Sequence, residues 1–143
     1  MSAADDVRTA SQQFYAALNS MVRGDATPMR AIWSHGASVS SMHPLGGREV
    51  GWDEVWKVFH QVSQAASNGN IALENQIVQA GTDMAYETGD EKGSFTLAGQ
   101  SIDIAIRVTN VYRRDADGWK IVHHHTDLSQ AMLDVVSRLQ RNA

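Results

Sequence analysis

Ile102-Asp-Ile-Ala-Ile-Arg-Val-Thr-Asn-Val-Tyr-Arg-Arg114, Asp115-Ala-Asp-Gly118 and Trp119-Lys-Ile-Val-His-His-His-Thr-Asp127 decide the fold of this chain. Two runs rich in β-branched and aromatic residues, joined by a short segment ending in Asp-Gly, read as a β-hairpin. With the turn at Asp115 to Gly118, Arg114 is expected opposite Trp119, Tyr112 opposite Ile121, Asn110 opposite His123 and Val108 opposite His125. Side chains alternate faces along a strand, so this register sorts them. One face carries Ile102, Ile104, Ile106, Val108, Asn110, Tyr112, Trp119, Ile121, His123, His125 and Asp127, and its apolar character marks it as the buried one. Polar groups on a buried face need partners or a cavity. The end where Asn110, His123, His125 and Asp127 collect is therefore the candidate site, and His124 falls on the outer face with Lys120 and Thr109.

Working outward, Val7, Ala10, Phe14, Leu18 and Met21 predict an amphipathic helix from Ala4 to about Val22, ended by Gly24. Thr27-Pro28 opens a short helix through Met29, Ile32 and Trp33. Ala37 to His43 reads as a strand stopped by Pro44. Trp52, Val55, Trp56, Phe59 and Val62 give a third helix, Trp52 to about Ala66, with Asp53 and Glu54 in its first turn. Ile71 to Ala80 and Thr82 to Phe95 read as strands, the second interrupted by a hairpin or bulge near Gly89 to Gly93. Met132, Val135, Val136 and Leu139 predict a last helix behind a Ser129 cap. Helices first and strands after give an α+β fold: a curved, cone-shaped antiparallel sheet wrapped around N-terminal helices. The 143 residues fit a single domain, its core about 5–127 and its C-terminal helix about 129–141.

With no cysteine, disulfides, thiolate catalysis and iron–sulfur clusters are excluded, and a net charge of −4 argues against a nucleic-acid partner. No apolar run reaches the length of a membrane span and the N-terminus has no signal-peptide pattern, so a cytoplasmic location is expected.

Gly24-Asp25, Met42-His-Pro-Leu-Gly-Gly47 followed by Gly51-Trp-Asp-Glu-Val55, Arg107-Val-Thr-Asn-Val-Tyr-Arg-Arg114 and Gly118-Trp-Lys-Ile-Val-His-His-His125 carry a resemblance over residues 5 to 127. The chain resembles the SnoaL-like group of the nuclear transport factor 2-like superfamily, which includes ketosteroid isomerases, polyketide cyclases and a kinase association domain. The resemblance implies a conical pocket and a homodimer through the outer sheet face. Carried across from ketosteroid isomerase, the carboxylate base falls on His43, the protonated acid of the oxyanion hole on Asn110, and the oxyanion tyrosine near Ala17, with Phe14 and Tyr15 a turn away.

Three readings of the cluster stay open. In the first, His43, His123 or His125 takes a proton from carbon beside a carbonyl, Asn110 and Tyr112 hydrogen-bond the enolate, and Asp127 orients an imidazole. In the second, His43, His123 and His125 hold a metal, although no metal or other cofactor is required by the first. In the third, the cone binds a small hydrophobic or planar molecule between Phe14, Trp33, Trp56, Val108 and Tyr112 and does no chemistry.

Overall fold

A computed structural model describes residues 2–142. Helix α1 (Ala3–Met21) starts at a capping box, in which the Ser2 hydroxyl accepts from the Asp5 amide at 3.1 Å and the Asp5 carboxylate accepts from the Ser2 amide at 3.4 Å. Its inner face buries Val7, Ala10, Phe14, Leu18 and Met21, as their spacing requires. It also buries Ser11 and Tyr15, which an apolar stripe alone does not account for. The one-turn helix α2 (Met29–Ile32), the short strands β1 (Ser40–Met42) and β2 (Glu49–Val50) and helix α3 (Trp52–Ala65) follow. Three long strands come next, β3 (Ala66–Ala80), β4 (Met84–Leu97) and β5 (Gln100–Asp115), then β6 (Gly118–Thr126) and α4 (Gln130–Arg141).

The six strands form one sheet in the order β2-β1-β6-β5-β4-β3. The expectation of a wholly antiparallel sheet needs one correction, because β1 pairs with β6 in parallel, Ser40 opposite His123 and Ser41 opposite His124. β1 lies between β6 and the edge strand β2, with which it pairs antiparallel. Helix α1 lies across the concave face, and the core between them holds Phe14, Trp33, Ile102, Tyr112 and Ile121. Fully burying one such side chain stabilises by roughly 1.5–3 kcal/mol.

The expected interruption of β4 is absent. Pairing with β5 runs unbroken from Met84 opposite Arg113 to Leu97 opposite Gln100. The irregularities lie instead in β3, at Ser67/Asn70 and Glu74/Ile77, and the β4 glycines mark close approach to them. A Cβ on Gly93 would stand 2.0 Å from the Asn70 carbonyl oxygen, and one on Gly89 would stand 2.6 Å from Leu73 Cδ1. Backbone, unlike a side-chain tip, cannot step aside. Gly93→Ala is expected to cost about 3 kcal/mol in urea unfolding, through overpacking where the sheet bends. A change within experimental error would mean that the β3–β4 contact is looser than described.

Candidate functional site

On β5 the even-numbered residues from Ile102 to Tyr112 point inward and are buried, with Asn110 and Tyr112 both 0% exposed. This is the face read from sequence. On β6 the expected register holds only next to the turn, where Arg114 pairs with Trp119 and Tyr112 with Ile121. Val122 is then an extra residue, a β-bulge, and beyond it Val111 pairs with His123, Asn110 with His124, Thr109 with His125 and Val108 with Thr126. A one-residue slip turns every later side chain to the other face. His124, expected outside, is buried at 4% exposure. His123, His125 and Asp127, expected inside, lie outside.

The slip has a physical reason in what each face can satisfy. Outside, Asp127 accepts two hydrogen bonds from the Arg107 guanidinium, at 2.8 and 3.0 Å, and one from its amide at 3.1 Å. This holds the carboxyl down to about 2. His123 Nδ1 lies 2.7 Å from the Ser40 hydroxyl, and burial lowers its pKa, helped by His125. Inside, only Thr126 and His124 need accommodation. Asp127 does not cap the last helix, since the Ser129 hydroxyl accepts from the Met132 amide at 3.2 Å.

The groups that meet under α1 are Ser11, Tyr15, Glu87, Glu91, Asn110, Tyr112 and His124. Glu87 pairs with Asn110 and Glu91 with Ile106 across the β4–β5 ladder, so both carboxylates point into the cone. Glu87 is fully enclosed, accepting from Ser11 at 2.6 Å, from the Gln76 amide at 3.1 Å and from the Tyr112 hydroxyl. Glu91 accepts from the Tyr15 hydroxyl at 2.8 Å, and Tyr15 in turn accepts from Asn110 Nδ2 at 3.2 Å. The Asn110 Oδ1 atom lies 2.6 Å from His124 Nδ1. A single chain of hydrogen bonds therefore runs from Glu91 through Tyr15 and Asn110 to His124.

Burial sets the electrostatics. It raises the Glu91 carboxyl to about 7 against the opposing Tyr15 hydrogen bond, with the charge of Glu87 adding to the rise. It also raises Tyr15, beside Glu91, and Tyr112, beside Glu87, so both phenols stay protonated donors. His124 is pushed down to about 3 by burial first and then by His43, His123 and His125, and is neutral at physiological pH.

Glu91 and His124 both open onto an apolar cavity of about 60 Å³. Leu18, Met21, Phe59, Phe95 and Ile106 supply its walls, and His43, Leu45 and Met132 close one side. His43 is held there by two contacts: Nδ1 accepts from the Leu45 amide at 3.3 Å, and Nε2 stands 2.9 Å from the Glu49 carboxylate. Of the residues expected as pocket walls, Phe14 packs at 5.3 Å on the His124 ring, and Trp33, Val108 and Tyr112 are core residues outside the lining. Trp56 is half-buried at the margin of the core and outside the lining, under the Arg30 guanidinium and stacked on His60. His43 on the cavity side and His123 and His125 on the outer face do not converge. Among the described residues no group of three or more His, Cys, Asp or Glu is placed to hold a metal ion. No helix among them is long and apolar enough to cross a membrane.

A broader groove on the outer face, about 460 Å³, is lined by Asn75, Asp90, Arg107, His125 and Asp127. Its charges already satisfy one another, Asn75 bonding Asp90 at 2.8 Å and Arg107 bonding Asp127, and it offers no enclosed group with a shifted proton affinity near neutrality.

Sequence reasoning missed Glu87 and Glu91. A strand carried unbroken through Gly89 and Gly93 puts positions 85, 87, 89, 91, 93, 95 and 97 on one face, and Ala85, Phe95 and Leu97 identify that face as core. Reading the glycines as an interruption lost that phase.

Residues 7–132 match the model of the SnoaL-like domain. No curated protein matches the chain. Among solved structures, the chain is similar to a candidate dehydratase of the nuclear transport factor 2-like family from Streptomyces avermitilis, with 26% identity, TM-score 0.77, and 90% of this chain and 96% of that one covered. It is similar to a candidate calcium/calmodulin-dependent protein kinase type II association domain from Thiobacillus denitrificans, at 29% identity and TM-score 0.70 over 86% and 94% of the two chains. It is likewise similar to a candidate ketosteroid isomerase from Shewanella frigidimarina, at 26% identity and TM-score 0.67 over 88% and 95%.

Proposed function

The chain belongs to the SnoaL-like domain family, and on that premise we propose that it is a proton-transfer enzyme of isomerase, cyclase or lyase type. Glu91, rather than a histidine, acts as the base on carbon next to a carbonyl. The observation that carries this reading is a carboxylate on an apolar cavity with its pKa near 7, held at one oxygen by Tyr15. A base poised near working pH exists in quantity as the carboxylate and returns its proton readily. The ionised carboxylate takes the C–H proton and the bond electrons move onto the carbonyl oxygen. The protonated Glu91 then stands beside the enolate as its hydrogen-bond donor and gives the proton back at the same or a neighbouring carbon. Asn110 does not serve as an oxyanion donor in this scheme, since it is fully buried behind Tyr15, to which one of its amide hydrogens goes, and does not line the cavity.

The test is solvent deuterium exchange into a panel of uncharged ketones, followed by NMR. Exchange by the wild type that disappears in Glu91→Gln supports the reading, and equal exchange in both overturns it.

A second reading, a non-catalytic ligand-binding or assembly module, draws support from the size of the cavity and the similarity to a kinase association domain. Ligand pockets usually span about 300–1,000 Å³, so substrate entry requires the side closed by Leu45 and Met132 to yield. The two are coupled, because the Ser129 amide at the start of α4 donates to the Pro44 carbonyl at 3.0 Å. Met132→Ala is expected to lower KM for the best ketone while costing about 2 kcal/mol of stability. An unchanged KM with that loss would assign α4 to packing alone. We also propose a homodimer through the outer sheet face, where Ile77, Met84 and Tyr86 are exposed.

A further inference from the structure

The chain of hydrogen bonds that ends at His124 has a direction, and the direction fixes which imidazole nitrogen carries the proton. The Tyr15 hydroxyl has one hydrogen, and it points at the Glu91 carboxylate 2.8 Å away. Its oxygen must then accept from Asn110, which only the amide nitrogen Nδ2 can supply, and that contact is 3.2 Å. The other end of the same amide is Oδ1, an acceptor without a hydrogen, and it faces His124 Nδ1 at 2.6 Å. Nδ1 therefore bears the hydrogen. A neutral imidazole has only one, so Nε2 is a bare lone pair, and it is the nitrogen left for the cavity that His124 lines. The low proton affinity of the buried ring keeps this arrangement neutral down to about 3.

The rest of the cavity narrows the ligand. Among the described residues no lysine or arginine lines it, so a carboxylate or phosphate would be buried without a countercharge. His43, the other lining imidazole, offers a ligand no free lone pair: Nδ1 accepts from the Leu45 amide, so the ring hydrogen is on Nε2, which lies 2.9 Å from the Glu49 carboxylate without an aligned hydrogen bond. His124 Nε2 is thus the free lone pair of an imidazole that lines the apolar cavity, with no donor among the described residues hydrogen-bonded to it, and it asks for a donor from the ligand.

We propose that Asn110 is a positioning residue that holds His124 as the Nδ1–H tautomer, and that the cavity therefore takes an uncharged, mostly apolar molecule that donates one hydroxyl hydrogen bond to Nε2. This rests on the proposed function for the cavity being the ligand's place. With Glu91 as base, it narrows the substrate to a neutral hydroxycarbonyl compound.

Ring ¹⁵N NMR on histidine-labelled protein, with His124 assigned through His124→Gln, reads the tautomer directly. The expected pattern is a protonated Nδ1 and an unprotonated Nε2. Asn110→Asp, which keeps an acceptor opposite Nδ1, retains the pattern, whereas Asn110→Leu loses it. An Nε2–H tautomer in the wild type, or an unchanged pattern in Asn110→Leu, would overturn the positioning role, and an unfolded leucine variant leaves the wild-type and aspartate spectra to decide. Phenol, anisole and benzoate then probe the ligand class. Phenol is expected to move the Nε2 resonance, anisole and benzoate to leave it in place. No response to phenol, or an equal response to anisole, overturns the hydroxyl assignment. Glu91→Gln separates this from the proton-transfer reading, because the glutamine amide oxygen still accepts from Tyr15: both NMR results persist there while deuterium exchange is lost.

Discussion

Glu91→Gln is expected to abolish proton exchange and, above pH 7, to make the fold more stable. The loss of rate follows from removing the only group proposed to accept the carbon-bound proton, and general bases of this kind contribute on the order of 10²–10⁴-fold. The gain in stability follows from the cost of burying charge. In the folded protein burial raises the Glu91 carboxyl from 4.5 to about 7. Below 4.5 the group is protonated in both states and contributes no difference. Between 4.5 and 7 the unfolded chain releases its proton first, so stability falls as pH rises, and above 7 the full cost of about 3 kcal/mol is present. Glutamine keeps the size and the Tyr15 contact and carries no charge. Urea unfolding of wild type and variant should therefore coincide near the lower end of that window and diverge toward its upper end. A glutamine variant that is less stable at every pH would mean that the carboxylate is a structural anchor.

The second large effect lies on the acid side. His124 drops from 6.5 to about 3 on folding. As pH falls below 6.5 the unfolded chain takes up a proton that the folded imidazole refuses, so stability is lost progressively down to about pH 3. The total, about 5 kcal/mol, is comparable with the whole stability of a small domain, about 5–15 kcal/mol. Glu91 opposes this between 4.5 and 6.5, where falling pH relieves its own burial cost. The net acid limb should be shallow at first and steep below 4.5. His124→Gln retains a donor for Asn110 Oδ1 without a titrating charge, and its unfolding midpoint should depend much less on pH below 6.5. An identical acid limb in wild type and variant would place the acid sensitivity elsewhere.

These two residues also show how far the sequence could be read. The cone was legible because each local signal agreed with it: the apolar spacing on α1 and α3, the Asp-Gly turn, and the alternation on β5 that puts Asn110 and Tyr112 on the core face. The bulge at Val122 was not. It adds a single residue with no turn signal of its own, and its driving force is tertiary: an outer arginine for Asp127 and an inner amide for His124. His-His-His offers three identical side chains, so a slip of one leaves the pattern looking the same while exchanging which ring is buried. Glu87 and Glu91 were hidden for a related reason. A carboxylate on a strand reads as solvent-facing unless the phase is carried across Gly89, and their partners Ser11 and Tyr15 are 76 residues away in sequence.

The most direct test is a ¹³C carboxyl NMR titration of glutamate-labelled protein, with Glu91 assigned through Glu91→Gln. A glutamate resonance with a midpoint near 7 that vanishes in the variant is the predicted result. A Glu91 midpoint near 4.5, the value of an ordinary solvated carboxyl, would contradict the account, because a base so acidic is neither buried in the cavity nor poised for proton transfer.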